Sequence, residues 1–328
     1  MKVCFAFLFL FFSLGFTLAQ TSLDDIHIQP RQTIPSLRVE GGLEELANNA
    51  VPLIRTDVKL VLVPVSVTDP DERFVTGLGQ NNFQIYEGKT QQAIQNFSQE
   101  DVPISIGIIL DVSGSMGDKL ERLRDAVNQF CEAANPQDEF FLITFSNEPR
   151  MAVDFTTSTN EIEKELVFMQ PKGRTSLLDA TAMGLLKMKV ARYGKKALLV
   201  ISDGGDNHSR VGERDLKNMA RESDVMIYSI GVFDRYVPTP EEVLGPSLLS
   251  AISEPTGGRA YTLDSPDEMP TVARHIGLEL RTQYVLAYRP KEFGHDGKWH
   301  KIRVKLLLPR KLQFLHARAK PGYYATLR

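Results

Sequence analysis

The stretch Ile104-Ser-Ile-Gly-Ile-Ile-Leu-Asp-Val-Ser-Gly-Ser-Met116 constrains the fold more than any other. From Ile104 to Leu110 the run is uncharged, rich in β-branched residues and too short for a buried helix, so it reads as a strand covered on both faces. The run stops at Asp111. Ser113-Gly114-Ser115 can then turn small oxygens toward one spot, and Gly114 and Gly117 let the backbone bend before an amphipathic helix begins. An Asp-x-Ser-x-Ser loop at the end of a buried strand is a candidate cation site.

The pattern around this stretch predicts strands over 104–110, 140–145, 197–201, 226–232 and 260–263. Helices are predicted near 119–134, 160–169, 177–190, 213–221, 246–253 and 267–280. The alternation implies a doubly wound, mostly parallel α/β sheet with helices on both faces and ligands at the carboxyl ends of its strands. On either side the period falls to two. Val61, Val63, Val65 and Val67 share one face of a strand that Pro64 marks as an edge or bulge. Phe83 and Ile85, then Ile94 and Phe97, flank a hairpin signal at Glu87-Gly88-Lys89. After residue 280, Tyr284, Leu286 and Tyr288, then Ile302, Val304 and Leu306, then Leu315, Ala317 and Ala319 alternate with polar neighbours. Turns are expected at His295-Asp-Gly297 and Leu308-Pro-Arg310, and Arg318 is expected on the solvent face. Neither strand group is stable alone, so the two are expected to form one small β-sandwich with the α/β domain inserted between them.

The N-terminus has one Lys, an uncharged apolar stretch and then Thr17-Leu18-Ala19, the pattern of a cleaved export signal. The expected organisation is a signal over 1–19, a flexible leader over 20–57, sandwich strands over 58–100, the α/β domain over 101–281 and sandwich strands over 282–328. An exported location, whether periplasmic, cell-surface or extracellular, follows; a membrane is involved only if the signal segment stays uncleaved. Cleavage leaves Cys131 as the one thiol, placed on the apolar stripe Leu120, Leu123, Val127, Phe130, Ala134, where a packed and inert side chain is expected. Lys and Arg number 38 against 41 Asp and Glu, a net charge of −3, which gives no reason to expect nucleic acid as a partner. The basic C-terminal strands read as a solvated sheet face.

Two more predicted strand ends offer oxygen donors. Thr175 lies in Lys172-Gly-Arg-Thr-Ser176 before a helix, and Asp203 ends Ala197-Leu-Leu-Val-Ile-Ser-Asp203 ahead of Gly204-Gly205. The set Asp111, Ser113, Ser115, Thr175, Asp203 resembles the metal-ion-dependent adhesion site of von Willebrand factor type A domains in residue types and in order. Taken singly, such residues are more often helix caps. The resemblance implies that Ser113, Ser115 and Thr175 coordinate a divalent cation, while Asp111 and Asp203 act through bound water or as hydrogen-bond acceptors. The implied ion is Mg²⁺, with Mn²⁺ and Ca²⁺ as alternatives, since hydroxyls and water suit a hard cation and leave it electrophilic. The flanking segments Val61 to Asp69, Phe83 to Gly88, Tyr284 to Pro290, Gly297 to Val304 and Ala319 to Tyr324 are also similar to the acidobacterial-type VWFA-related proteins.

The function implied is a non-enzymatic module that captures an Asp or Glu of a partner protein through the cation. Arg174 stands where the family more often has Gly, and Arg174, Asp206 and His208 are the expected partner contacts. Two alternatives remain: a metal-assisted hydrolase with Asp206 or His208 as base, and a scaffold in which the loop only ties strand ends together. No Gly-x-Ser-x-Gly elbow, phosphate loop or paired-Cys zinc pattern occurs.

Overall fold

Strand β1 (Val61–Thr68) buries Val61, Val63, Val65 and Val67, as its alternation requires. β1 opens the part of the chain that the computed structural model describes, residues 60–99, 101–203, 205–233, 240–291 and 297–325, with side chains omitted at 240–242. The expected export signal and leader, the turn residues His295-Asp296, and Gly204 lie outside the described residues. β2 (Phe83–Glu87), β3 (Thr90–Gln92) and β4 (Ile94–Ser98) follow. The hairpin signal is used, with Gly88 at φ +58°, yet it joins β2 to β3. β4 crosses to a different sheet, so the segment read as one strand after the turn is two.

The α/β region runs β5 (Ser105–Asp111), α1 (Leu120–Glu132), β6 (Glu139–Phe145), β7 (Pro149–Thr156), α2 (Thr159–Val167), α3 (Leu177–Lys187), β8 (Lys196–Ser202), α4 (Glu213–Glu222), β9 (Met226–Val232), α5 (Pro240–Ser253), β10 (Ala260–Leu263) and α6 (Met269–Thr282). Its six strands lie in the order β10-β9-β8-β5-β6-β7, all parallel except β7, which pairs antiparallel with β6. β7 is absent from the sequence-based expectation. It is an edge strand in which Arg150 and Asp154 interrupt the apolar residues, so no period stands out. Helix α5 starts six residues earlier than expected: Pro246, read as a helix start, lies inside the helix.

Every residue of β5 is buried, and the helices explain why. Ile106, Ile108 and Leu110 face a core shared with α1, α2 and α6, while Ile109 faces one shared with α3, α4 and α5. Gly107 is the thin point, since a Cβ there would stand 2.3 Å from Phe141 Cζ and 2.5 Å from Leu198 Cδ2. Cys131 is buried beside α1's core residues; burial, and secondarily Glu163, pushes its thiol up to about 12, as an inert side chain requires.

The chain then returns to sheet structure in β11 (Tyr284–Tyr288), β12 (Trp299–Leu306), β13 (His316–Ala319) and β14 (Gly322–Tyr324). One four-stranded sheet has the order β13-β1-β11-β4 and the other β14-β12-β2-β3, so each mixes strands from before and after the α/β region. Val63, Val65, Tyr284 and Leu286 of the first meet Phe83, Ile85 and Ile302 of the second in one buried core. β1 is an interior strand, contrary to the reading of Pro64 as an edge marker. Its pairing with β13 begins only at Val65, so the proline sits where β11 alone lies beside it.

The outer face of the β13-β1-β11-β4 sheet meets the α/β region through a buried polar network. Glu279 of α6, with no exposed surface, accepts from Ser66 Oγ at 2.6 Å, from Tyr228 OH at 3.0 Å and from Arg318. Gln283 Nε2 donates to the Tyr228 hydroxyl at 3.1 Å. Alternation along β13 placed Arg318 toward solvent; the α/β region covers that face and makes it the counter-ion of a buried carboxylate. At the connections, Arg281 bridges Asp101 at 2.7 Å and Asp138 at 3.2 Å, and Lys195 donates to the Leu280 carbonyl. Burial, and then Arg281, depresses the Lys195 ammonium to about 7.

Two outcomes follow from this junction. Arg318→Met leaves Glu279 buried without its cation and is expected to cost about 3 kcal/mol in urea melts, with Glu279→Met added in the same chain recovering most of it. A base depressed in the folded state stabilises fully above its unfolded value of 10.5 and progressively less as pH falls through about 7. Lys195→Met is therefore expected to flatten the loss of stability between pH 10 and 7, read from melts at each pH.

Candidate metal centre

The order of the six-stranded sheet reverses beside β5: the chain leaves β5 for β6 and β7, then returns to β8 on the other side. The crevice outside the carboxyl ends of β5 and β8 is thus the topological switch point, the place where doubly wound sheets bind ligands. Asp111 is the last residue of β5, and Asp203 directly follows β8. Both carboxylates are buried, Asp111 wholly and Asp203 to within 2 % of full burial.

Asp111 fixes the loop that follows it. Its Oδ1 accepts the Ser113 N–H at 2.8 Å, and its Oδ2 accepts the Ser202 hydroxyl at 2.5 Å. That turn sets the Ser113 and Ser115 hydroxyls 3.1 Å apart, Ser113 buried and Ser115 open to solvent. Burial, and then the Asp203 charge, pushes the Asp111 carboxyl up to about 7, despite the hydrogen bonds from Ser113 and Ser202. Among the described residues no donor reaches the buried Asp203 Oδ2, and Lys119 Nζ lies 3.6 Å from it.

Backbone hydrogen bonds stitch the neighbouring loops to this one. Lys172 N–H donates to the Val112 carbonyl at 2.9 Å and Gly114 N–H to the Gly173 carbonyl at 3.1 Å, which ties the Thr175 loop alongside Ser113 and Ser115. Gly173 holds φ +83°, and Asn147 Oδ1 receives the next amide, of Arg174, at 2.8 Å. Thr175, 4 % exposed, donates its N–H to Asn207 Oδ1 at 3.0 Å and accepts the amides of Asn207 and His208 at 3.1 Å. The structure therefore joins Asp111, Ser113, Ser115 and Asp203 through direct contact or charge, and Thr175 through the loop backbone.

The residues expected to face a partner divide. Arg174 and His208 are exposed beside the crest. Asp206 is half-buried and turned inward, its Oδ1 accepting Ser209 Oγ at 2.6 Å and the Leu178 amide in the first turn of α3 at 3.5 Å. Lys119, Ser202, Asn147 and Asn207 also serve the site, and sequence reasoning missed them. Lys119 looked like an ordinary polar residue before an amphipathic helix, and only its burial at 9 % exposure gives it away.

The donor chemistry fits a hard divalent cation. Among the described residues no group of three or more His, Cys, Asp or Glu side chains is placed to hold a metal ion. What the crevice offers is hydroxyls with two buried carboxylates, one of which keeps an oxygen free of hydrogen bonds. Ser113, Ser115 and Thr175 could hold a cation, with Asp111 and Asp203 behind them.

Fold and crevice together define a doubly wound α/β domain with an oxygen-lined crest at its switch point. Residues 106–205 match the family model of the von Willebrand factor type A domain. The α/β region therefore carries a von Willebrand factor type A domain over residues 106–205. The chain is 27% identical over 183 residues to an uncharacterized protein of Borreliella burgdorferi, covering 48% of this chain and 53% of that one. It is 27% identical over 156 residues to inter-alpha-trypsin inhibitor heavy chain H4 of Bos taurus, covering 44% of this chain and 17% of that protein. The chain thus spans about half the length, or less, of these curated relatives. Among solved structures it is similar to a von Willebrand factor type A protein from Catenulispora acidiphila, with 10% identity, a TM-score of 0.49, and coverage of 83% of this chain and 75% of that chain.

Lys119→Met removes the ammonium 3.6 Å from the buried Asp203 carboxylate. It is expected to lower stability in chelator by about 3 kcal/mol by chemical denaturation, whereas exposed Lys172→Met changes it by less than about 0.5 kcal/mol.

Proposed function

We propose that the protein is a non-enzymatic, exported binding module that captures an acidic side chain of a partner protein through a divalent cation, Mg²⁺ first, at the crest. The observation that carries this reading is the pair of buried carboxylates, Asp203 Oδ2 having no hydrogen-bond donor among the described residues and Asp111 holding the loop that sets the Ser113 and Ser115 hydroxyls together. Such an arrangement is unfavourable alone and favourable around a cation. Ser113, Ser115 and Thr175 would hold the ion by hydroxyl oxygen. Asp111 orients Ser113 through its amide, and Ser202 orients Asp111. Bound there, the cation supplies an electrophilic position that a carboxylate can complete.

Charge around the crest agrees with this. A divalent ion bound with both carboxylates ionised and Lys119 alongside would leave the site positive and select an anionic partner. Arg174, exposed next to Thr175, adds to that field. The hydrolase alternative asks for a free base. Asp206 is committed to Ser209 and the start of α3, which counts against that role, and His208 stands in solvent. Export rests on the apolar N-terminal segment; among the described residues no helix is long and apolar enough to cross a membrane.

A thermal melt tests the ligand set. At about 100-fold excess over Kd, Mg²⁺ is expected to raise the Tm by roughly 5–10 °C. Ser113→Ala combined with Ser115→Ala is expected to remove that rise while leaving the far-ultraviolet circular dichroism unchanged. An undiminished Mg²⁺ response in the double variant overturns the assignment.

A further inference from the structure

Beside the crest the chain exposes two large apolar side chains that its own core does not use. Val167 ends α2 and Phe168 follows it, and they are 67% and 78% exposed. They stand on a rigid base. Arg124 of α1 reaches across to three carbonyls at this helix end, donating from Nε to Leu166 O at 2.8 Å and from Nη2 to Val167 O and Met169 O at 3.3 Å. A few residues on, the same loop is pinned by the Lys172–Val112, Gly114–Gly173 and Arg174–Asn147 hydrogen bonds that build the crest. Phe168 is therefore presented by backbone clamped at both ends, which limits the ordering cost of binding.

A groove of about 370 Å³ runs from this knuckle to the crest, lined among others by Phe168, Met169, Arg150, Glu148, Lys172 and Val112, the residue between Asp111 and Ser113. Its acids are already matched. Glu165 accepts from Arg150 at 2.5 Å and Glu148 from Arg210 at 3.3 Å. Lys172 and Arg174, exposed at the crest end, make no ion pair among the described residues. The free charge on this surface is thus positive at one end, and an apolar anchor stands at the other.

We infer that this groove is the second contact of the crest and seats a bulky apolar or aromatic side chain of the same acidic partner segment whose carboxylate meets the cation. The inference rests on the proposed function and specifies its partner: a protein segment in which an Asp or Glu lies a fixed few residues from a Phe, Leu, Tyr or Trp. The acid supplies the cation-dependent contact, and the apolar residue packs on Phe168, burying surface that the free protein leaves in water.

The test uses the full chain and a library of synthetic heptapeptides with Glu fixed at the centre and the other positions random, selected in Mg²⁺ and again in chelator. Mg²⁺-dependent selection is expected to enrich aromatic or large aliphatic residues at one offset from the Glu. Phe168→Ser is expected to weaken the best peptide about tenfold, with the Mg²⁺-induced melting shift intact, and Glu→Gln in the peptide is expected to reduce binding to its level in chelator. Binding that needs Mg²⁺ and the central Glu but shows no apolar preference, or an unchanged affinity in Phe168→Ser, overturns the groove and leaves the proposed function standing. Absence of any Mg²⁺-dependent binding that Glu→Gln removes overturns both.

Discussion

Asp111 and Asp203 are two carboxylates kept out of water at neighbouring strand ends, and their repulsion is the condition that the α/β region has to meet. Burial, and then the Asp203 charge felt in a low dielectric, is why the Asp111 carboxyl resists ionisation. The pair cannot relax apart, because β5 and β8 are paired in parallel from Ser105 opposite Lys196 to Leu110 opposite Ile201, with helices packed on both faces. Relief comes from the groups placed round the acids: the Ser202 hydroxyl, the Ser113 amide and the Lys119 ammonium. The two acids are thus held together in a crest whose loops cross-brace one another through backbone hydrogen bonds.

Much of this was legible in the sequence because it is written locally. A buried parallel strand is an uncharged run, an amphipathic helix repeats every three to four residues, and the Asp-x-Ser-x-Ser turn lies within five consecutive positions. Asp111, Ser113 and Ser115 could be read for that reason, Asp203 by its place at another strand end, and Thr175, in the loop between α2 and α3, only through the family resemblance. The mostly parallel sheet and the sandwich of early and late strands follow from such periods, whereas the order of strands within each sheet does not.

What was hidden depends on neighbours remote in sequence. Lys119 matters because Asp203 lies beside it in space, and nothing in the helix that follows it signals burial. Arg318 obeys the alternation of β13, and the reading failed only because a second domain covers the face that alternation assigns to solvent. β7 escaped since an edge strand, solvated along much of its length, has no need of a regular apolar period. Asp206 had the right chemistry for a surface contact but is consumed by the start of α3.

The register between β4 and β11 has a mechanical consequence. Ser98 lies opposite Val285 in that antiparallel pair, so the chain departs for the α/β region and comes back at adjoining points of one sheet. A pull applied along the polypeptide would be carried from strand to strand across the sandwich, with β1, β11 and β4 in shear, and the domain bearing the crest would hang aside as an unloaded side-branch. A grip formed at Ser113 and Ser115 would then keep its shape under traction until the supporting sheets themselves give way.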